Sequence, residues 1–168
     1  EQYQKALYTF TQAIEVAQDI NAAWSLGTIH MNIGDVYVGL EKPQLANQRY
    51  QLALTQHQKA GNIIGEAQTL YRIAKSYRTD NPDYTITLAK QALKIAREKN
   101  KKNLISNVTE LLYQVYESTG DCRSALEMYQ VYHATQDSIF DQERQRKFYQ
   151  QEAEYKYEKQ LLEEELAF

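Results

Sequence analysis

The sequence predicts an all-α protein built from repeated pairs of antiparallel helices. Apolar residues recur at helical spacing, and two independent sets of residues share a period of about 40 positions. The 168 residues include only 6 glycines and 2 prolines, too few for a many-stranded sandwich or barrel. Hydrophobic residues make up 43% and charged residues 24%, which is ordinary for one folded domain.

The first repeated set places a small, an aromatic and a second small residue at positions i, i+4 and i+7. Residues at this spacing share one helical face. The small members let two helix backbones approach closely, while the aromatic ring fills the gap to the next repeat. With its variants, the set reads Ala6, Phe10 and Ala13; then Ala46, Tyr50 and Ala53; then Thr85, Ala89 and Ala92; then Ala125, Tyr129 and Tyr132.

The second set alternates with the first along the chain, so each unit is a helix A, a short turn and a helix B. It reads Ile33-Gly34-x-x-Tyr37, then Ile73-Ala74-x-x-Tyr77, then Leu112-Tyr113-x-x-Tyr116. Pro43 and Pro82 suit the first turn of a helix, and Asp121 suits an N-cap. Helices are predicted at about 3–19, 22–39, 43–59, 62–78, 82–99, 102–118 and 121–137, with an eighth at about 138–166.

The two sets together resemble the tetratricopeptide repeat, W-x2-L-G-x2-Y followed by A-x3-F and A. His30, Leu70 and Thr109 occupy the Trp position, and the Gly is kept only at Gly34. The period of about 40 resembles the longer-helix branch of this family. The resemblance implies a right-handed superhelix over residues 1–136, made of one helix B followed by three full pairs. Its helix A faces would line a concave groove.

Residues 137–168 differ from the repeats in charge and pattern. They contain 9 acidic and 5 basic residues, a net charge of -4, with no Gly or Pro. Phe148, Tyr155 and Leu162 are seven apart and form a thin heptad seam. This segment is predicted to be a C-terminal helix that caps the array and then continues as a coiled-coil-like extension. The same seam would suit a homodimer through this helix.

A narrower resemblance concerns Asp137-Ser138-Ile139-Phe140-Asp141 and the later run Tyr155-Lys156-Tyr157-Glu158-Lys159. These residues resemble the end of sensor regions in Bacteroidetes-type membrane-anchored histidine kinases and transcriptional regulators. That resemblance implies a membrane span and an output domain outside this sequence. It favours a periplasmic or extracytoplasmic array, with a cytoplasmic one as the alternative. Both ends of the sequence read as helix interior, so we interpret it as part of a longer protein.

No residues form a catalytic constellation, so neither enzyme activity, a cofactor nor a metal is predicted. His30, His57 and His133 are far apart, and the single Cys122 excludes a thiolate-rich zinc site. A net charge of -3 argues against nucleic acid as the partner. No apolar run approaches the roughly 20 residues that span a bilayer, and no membrane contact by this segment is predicted.

The predicted binding surface is the groove, on the helix A faces that the repeat signature leaves unused. Arg72, Lys75 and Arg78 are spaced by three and form a basic strip. Arginine can fork onto a carboxylate and asparagine can bond a peptide backbone, so a protein or peptide partner is expected. The candidate residues are Asn32, Asp35, Tyr71, Arg72, Lys75, Arg78, Asn107, Glu110 and Gln114.

The favoured interpretation is a binding domain that serves as the sensor or scaffold region of a membrane-anchored bacterial signalling protein. Two alternatives stay open. The first is a purely structural assembly scaffold. The second is a cytosolic peptide-pheromone receptor, which also uses repeats of roughly 40 residues.

Overall fold

A computed structural model describes residues 2–166 of the chain, with side chains described up to residue 159. This part of the chain is all-helical. Its seven helices are α1 Gln2–Asp19, α2 Ala23–Gly39, α3 Pro43–Lys59, α4 Ile63–Ser76, α5 Pro82–Glu98, α6 Lys102–Thr119 and α7 Cys122–Leu166. The first six match the predicted helices to within a few residues.

The predicted break before residue 138 is wrong, because α7 is one continuous helix of 45 residues. No Gly or Pro interrupts the stretch. The Ser138 hydroxyl, which could have capped a new helix, instead accepts a 2.7 Å hydrogen bond from Lys102 Nζ. The predicted boundary between residues 136 and 137 therefore falls inside α7. The functional division of the chain at that point stays a prediction.

Five of the six turns between these helices have the same construction. In each, one residue has a positive φ: Asn21, Glu41, Gly61, Asn100 and Gly120, with φ between 49° and 80°. The next residue's N–H reaches back five positions, as in the 2.9 Å bond from Lys42 to the carbonyl of Tyr37. Together with the shorter bond from the preceding N–H, this is the Schellman motif that ends a helix. The turns therefore recur about every 20 residues.

Side-chain caps and prolines start several of the helices. Asn62 Oδ1 accepts from the Gly65 N–H at 3.0 Å at the start of α4, and Asn81 Oδ1 accepts from the Tyr84 N–H at 3.1 Å at the start of α5. Asp121 plays the predicted capping part for α7, accepting from the Ser124 N–H at 3.1 Å. These bonds satisfy N–H groups that have no partner within the helix.

The helices form two layers that together make an all-α repeat superhelix. Neighbours in sequence pack on one another, and α2 contacts α4, as α4 contacts α6. No such approach is seen between any two of α1, α3, α5 and α7 in the described part of the chain. Because the helix A layer is drawn together more tightly than the helix B layer, its outer face is the concave one.

The core confirms the role of the small residues in the repeat. Ala46, Ala53, Ala89 and Ala92 are fully buried. Tyr50 is 2% exposed, and a Cβ added at Gly34 would collide with its ring. Glycine at position 34 is therefore required for the close approach of α2 and α3.

The structure corrects one predicted core position, because Tyr129 is 42% exposed. Its ring lies 5.3 Å from that of Tyr113 and 4.3 Å from that of His133, measured between centroids. No described helix packs against the far side of α7, so Tyr129 has no following repeat to pack against. Across residues 2–166, no helix combines the length and apolar character required to cross a membrane.

Candidate functional site

The concave face carries a cavity of about 610 Å³ between α2, α4 and α6. Successive turns of each helix A contribute to it, because residues three and four apart point the same way. Its lining mixes aromatic, amide and charged side chains, which suits a peptide better than a purely apolar ligand. The lining residues are Asp35, Val38, Tyr50, Gln68, Tyr71, Arg72, Lys75, Ser76, Asn103, Leu104 and Asn107.

Two further cavities adjoin this one and extend it into a continuous groove. A cavity of about 160 Å³ shares Tyr71, Lys75 and Asn107 with it and lies towards the C-terminal half of α6. Another of about 490 Å³ shares Gln68, Asn103 and Leu104 and extends it towards α7. We call these three connected cavities the groove.

The groove brings together eight of the nine predicted binding residues. Five line the central cavity: Asp35, Tyr71, Arg72, Lys75 and Asn107. Arg78, Glu110 and Gln114 line the smaller one. Asn32 is half-buried in α2 and lines none of the three. It lies three residues before Asp35, about one turn beyond the part of α2 that lines the central cavity.

A buried tyrosine positions an arginine at the centre of the groove. Tyr50 reaches from α3 and donates to Asp35 Oδ1 at 2.7 Å. Arg72 Nε, from α4, donates to both oxygens of Asp35 at 2.8 and 3.1 Å. Burial and the bond to Asp35 raise the pKa of Tyr50, so its proton stays on the phenol and the bond persists at neutral pH. Asp35 therefore holds Arg72 through its Nε edge.

The predicted basic strip is divided by these interactions. Arg72 is paired with Asp35, and Arg78 donates to Gln114 Oε1 at 2.7 Å. Lys75, between them, is exposed, and its ammonium has no ion pair or hydrogen bond to any residue that the structure describes. Burial, and then the nearby Glu110, raise the pKa of the neighbouring Tyr71. Of the three cations of the basic strip, Lys75 is thus the one that a ligand can engage without displacing an internal partner.

The groove is more basic than the chain as a whole. Six cations line it, namely Arg72, Lys75, Arg78, Lys101, Lys102 and Arg146, against the carboxylates Asp35, Glu110 and Glu143. These charges sum to +3, whereas the whole sequence carries -3. A field of this sign favours ligands with acidic groups.

Helix α7 forms one wall of the groove, which the sequence analysis did not predict. Gln142, Glu143 and Arg146 face Lys101 and Asn103 across the cavity of about 490 Å³. Gln68 and Asn103 could have been predicted from the sequence. Gln68 lies three residues before Tyr71, and Asn103 lies four residues before Asn107, each on the same helical face. The α7 residues could not, because their place depends on how α7 packs against α6.

Two hydrogen bonds fix α7 beside the groove. Lys102 Nζ donates to Ser138 Oγ at 2.7 Å, and Gln136 Nε2 donates to Ser106 Oγ at 3.0 Å. Both join α7 to α6 at partly buried positions, where a hydrogen bond is less exposed to competition from water. A ligand that moves α6 would therefore also move α7.

The buried His57 is held by contacts within the array. His57 is buried in a slot where Cβ atoms added at Gly27 and Gly65 would come within 2.6 Å of its ring. Its Nδ1 accepts from Asn62 Nδ2 at 3.1 Å, since Asn62 Oδ1 already accepts from the Gly65 N–H. In residues 2–159, no cluster of three or more His, Cys, Asp or Glu residues could hold a metal ion.

Comparison with solved structures identifies helical-repeat proteins of the same fold. BtubC (BKLC) from P. vanneervenii matches with a TM-score of 0.71 and 18% identity, over 82% of this chain and 58% of its own. The apo form of RapI matches with a TM-score of 0.54 and 19% identity, over 83% of this chain and 64% of its own. No family model and no curated protein matches the sequence.

These similarities show the all-α repeat fold and nothing finer, because both identities are below 20%. The chain spans less than two thirds of the length of each of the two structures. The resemblance to Bacteroidetes-type sensor regions is not confirmed by either comparison.

Proposed function

We propose that this chain binds a protein or peptide segment along the groove and has no catalytic activity of its own. The observation that carries the proposal is the continuity of the groove across α2, α4, α6 and α7, with Lys75, unpaired among the described residues, at its centre. Asn103 and Asn107 can bond the peptide backbone, and Lys75 can bind a carboxylate.

The arrangement also supports a role for α7 as the element that reports binding. The groove is partly walled by α7, and the same helix continues far beyond the array. We propose that, in the parent protein, the domain is the sensor or scaffold region of a membrane-anchored bacterial signalling protein. A ligand that bridges α4 and α7 would then shift the direction in which α7 leaves the array.

Panning a random peptide library on the immobilised chain tests the binding proposal. Peptides rich in Asp or Glu should be enriched, and a Lys75→Glu variant should lose them. Lys94→Glu is the matched control, since Lys94 is an exposed cation that lines a separate cavity between α5 and α7. If no peptide is enriched, or if both variants retain the same peptides equally, the groove is not the binding site.

Hydrogen exchange tests the role of α7. With an enriched peptide bound, amide exchange of residues 140–166 should change together with that of residues 102–108. If only the helices of the array respond, α7 does not report ligand binding and the sensor role fails. Peptide binding itself would be unaffected by that result.

A further inference from the structure

The central cavity of the groove is lined by two cations and one carboxylate, which sum to +1: Arg72, Lys75 and Asp35. Asp35 and Arg72 neutralise one another, because Arg72 Nε donates to both carboxylate oxygens at 2.8 and 3.1 Å. Lys75 lies three residues after Arg72, on the same side of α4. A ligand group in this cavity therefore meets one cation that has no partner among the described residues, next to a fixed carboxylate.

Hydrogen bonds from two helices hold Asp35 at the edge of this cavity. Arg72 donates from α4, and the Tyr50 hydroxyl donates from α3 to Oδ1 at 2.7 Å. Tyr50 is buried with its ring packed against Gly34, so the core fixes the place of its hydroxyl. Turning Asp35 away would break bonds to both partners, and hydrogen bonds to a charged group are the stronger kind. The Asp35 side chain is nevertheless 44% exposed, so a ligand in the cavity can approach it.

We propose that the centre of the groove accepts a carboxylate and rejects a phosphate monoester, with Asp35 as the specificity-determining residue and Tyr50 as the residue that positions it. This rests on the proposed function, since it assigns the ligand chemistry of the same groove. A carboxylate carries one negative charge and matches Lys75. A phosphate monoester carries about −1.5 to −2 charges at pH 7, so its excess charge would lie against Asp35. Bringing like charges together in this way is unfavourable.

This preference is opposite to the one that net charge alone would give. Three cations and one carboxylate line the cavity towards α7 and sum to +2, namely Lys101, Lys102, Arg146 and Glu143. A field of that sign attracts a phosphate more strongly than a carboxylate. Discrimination against the phosphate therefore has to come from the central cavity, where a carboxylate is fixed beside the available cation.

Four mixtures of nonapeptides, applied to the immobilised chain at neutral pH, test the proposal. Three are acetylated and amidated at their ends and carry Glu, Gln or phosphoserine at the central position, with random uncharged residues elsewhere. The fourth carries Gln at the centre and a free C-terminal carboxylate, which separates a side-chain carboxylate from that of a peptide terminus. The retention that counts is the part that Lys75→Glu abolishes, because that part requires the central cavity.

We expect the better retained of the two carboxylate mixtures to exceed the phosphoserine mixture by at least about fivefold. Asp35→Asn keeps an oxygen that can accept from Tyr50 and Arg72 but removes the charge, so this ratio should fall to about one or below. Tyr50→Phe keeps the buried ring and removes only the hydroxyl, and it should give an intermediate ratio. A variant that merely loosens the array lowers the retention of every mixture together and leaves the ratio unchanged.

Glu110→Gln is the matched control, because it removes the same charge from the adjoining cavity and leaves the partner of Arg72 in place. Its ratio should stay close to that of the unmodified chain. Equal retention of carboxylate and phosphoserine mixtures by the unmodified chain would overturn the proposal, as would equal ratios for Asp35→Asn and Glu110→Gln. Peptide binding in the groove would survive either result. An unchanged ratio in Tyr50→Phe would overturn its positioning role. If no mixture shows retention that depends on Lys75, the proposed function fails as well.

Discussion

Helix α4 and the outer half of α7 show two ways in which a helix can be specified. Helix α4 has 14 residues, and packing on both sides buries Ala67, Ile73 and Ala74 while Tyr71 and Lys75 face the groove. Residues 141–159 of α7 are as strongly helical, yet all are exposed. The repeat places the residues that bury α4. The outer half of α7 is helical because it contains no helix breakers, and it has no packing partner among the described residues.

Truncating one large side chain in each region should produce the largest difference in the free energy of unfolding. Leu112→Ala removes a fully buried side chain in α6 and should lower the free energy of unfolding by about 2–5 kcal/mol. Tyr149→Ala removes a larger side chain that is 66% exposed and should change it by no more than about 0.5 kcal/mol. Urea denaturation of both variants at a concentration where the chain is monomeric makes the measurement. Similar losses would mean that the outer half of α7 is packed in solution.

Alanine substitution at two glycines of the array should lower stability to different extents. One glycine is required because a side chain has no room there, and the other because of its backbone conformation. Gly34→Ala forces a Cβ into the ring of Tyr50 and should cost about 1–3 kcal/mol. Gly61→Ala meets no atom within 4 Å, but its φ of 63° should cost about 1 kcal/mol. Thermal unfolding of the two variants ranks them. A smaller loss for Gly34→Ala would show that α2 and α3 can separate more easily than their packing indicates.

Acidification should weaken the array before it affects α7. Burial lowers the pKa of His57 below its usual 6.5, with Glu66 opposing that shift. The folded state therefore binds this proton less readily than the unfolded chain. Stability should fall as the pH drops below 6.5 and level off once the pH is under the folded-state pKa. Burial, and then Arg49, lower the pKa of His30 in the same sense.

Denaturation across this pH range, repeated with His57→Gln, measures the contribution of His57. The variant should lose part of the pH dependence, because a glutamine side chain does not titrate. Amides of α3 and α4 should lose protection first, since Asn62 bonds both His57 and the Gly65 N–H. Stability that is constant or that rises on acidification would contradict the prediction.

The smallest expected effect concerns the turns, which the array has and the outer half of α7 lacks. Glu41 has a φ of 57°, at the turn position where Gly61 and Gly120 occur elsewhere. Glu41→Gly should relieve this strain and raise the free energy of unfolding by up to about 1 kcal/mol. Glu41→Ala is the control and should give no gain, since alanine is strained there too. Equal gains would point to the lost charge instead of the backbone.

Much of the fold could be predicted because each repeat is specified by residues that lie close together in the sequence. A small residue at Ala46 or Ala92 reports a close helix contact whatever lies further along the chain, and Pro43, Pro82 and Asp121 mark helix starts. The break before residue 138 was predicted wrongly, and the local sequence does not show which residue Ser138 bonds. Lys102, which bonds Ser138, lies 36 residues away.

The groove shows the same division between local and distant information. The spacing of residues along α4 and α6 correctly predicted that Tyr71, Lys75 and Asn107 line the same cavity. The link from Tyr50 through Asp35 to Arg72 joins three helices, and no spacing within one helix indicates it. The sequence had suggested three equivalent cations, whereas Lys75 alone among them lacks a partner in the described residues.

The sequence by itself determined helices α1 to α6, their pairing and the faces of the array that become core, because periodicity and turn residues act over one or two turns of chain. Only the tertiary structure decided which charges are neutralised, that α7 walls the groove, and which part of α7 is left uncovered. These depend on contacts between residues 15 to 38 positions apart, such as those of Tyr50 with Asp35 and Thr69 with Met31. Their distances are set by packing, and no local pattern in the chain encodes them.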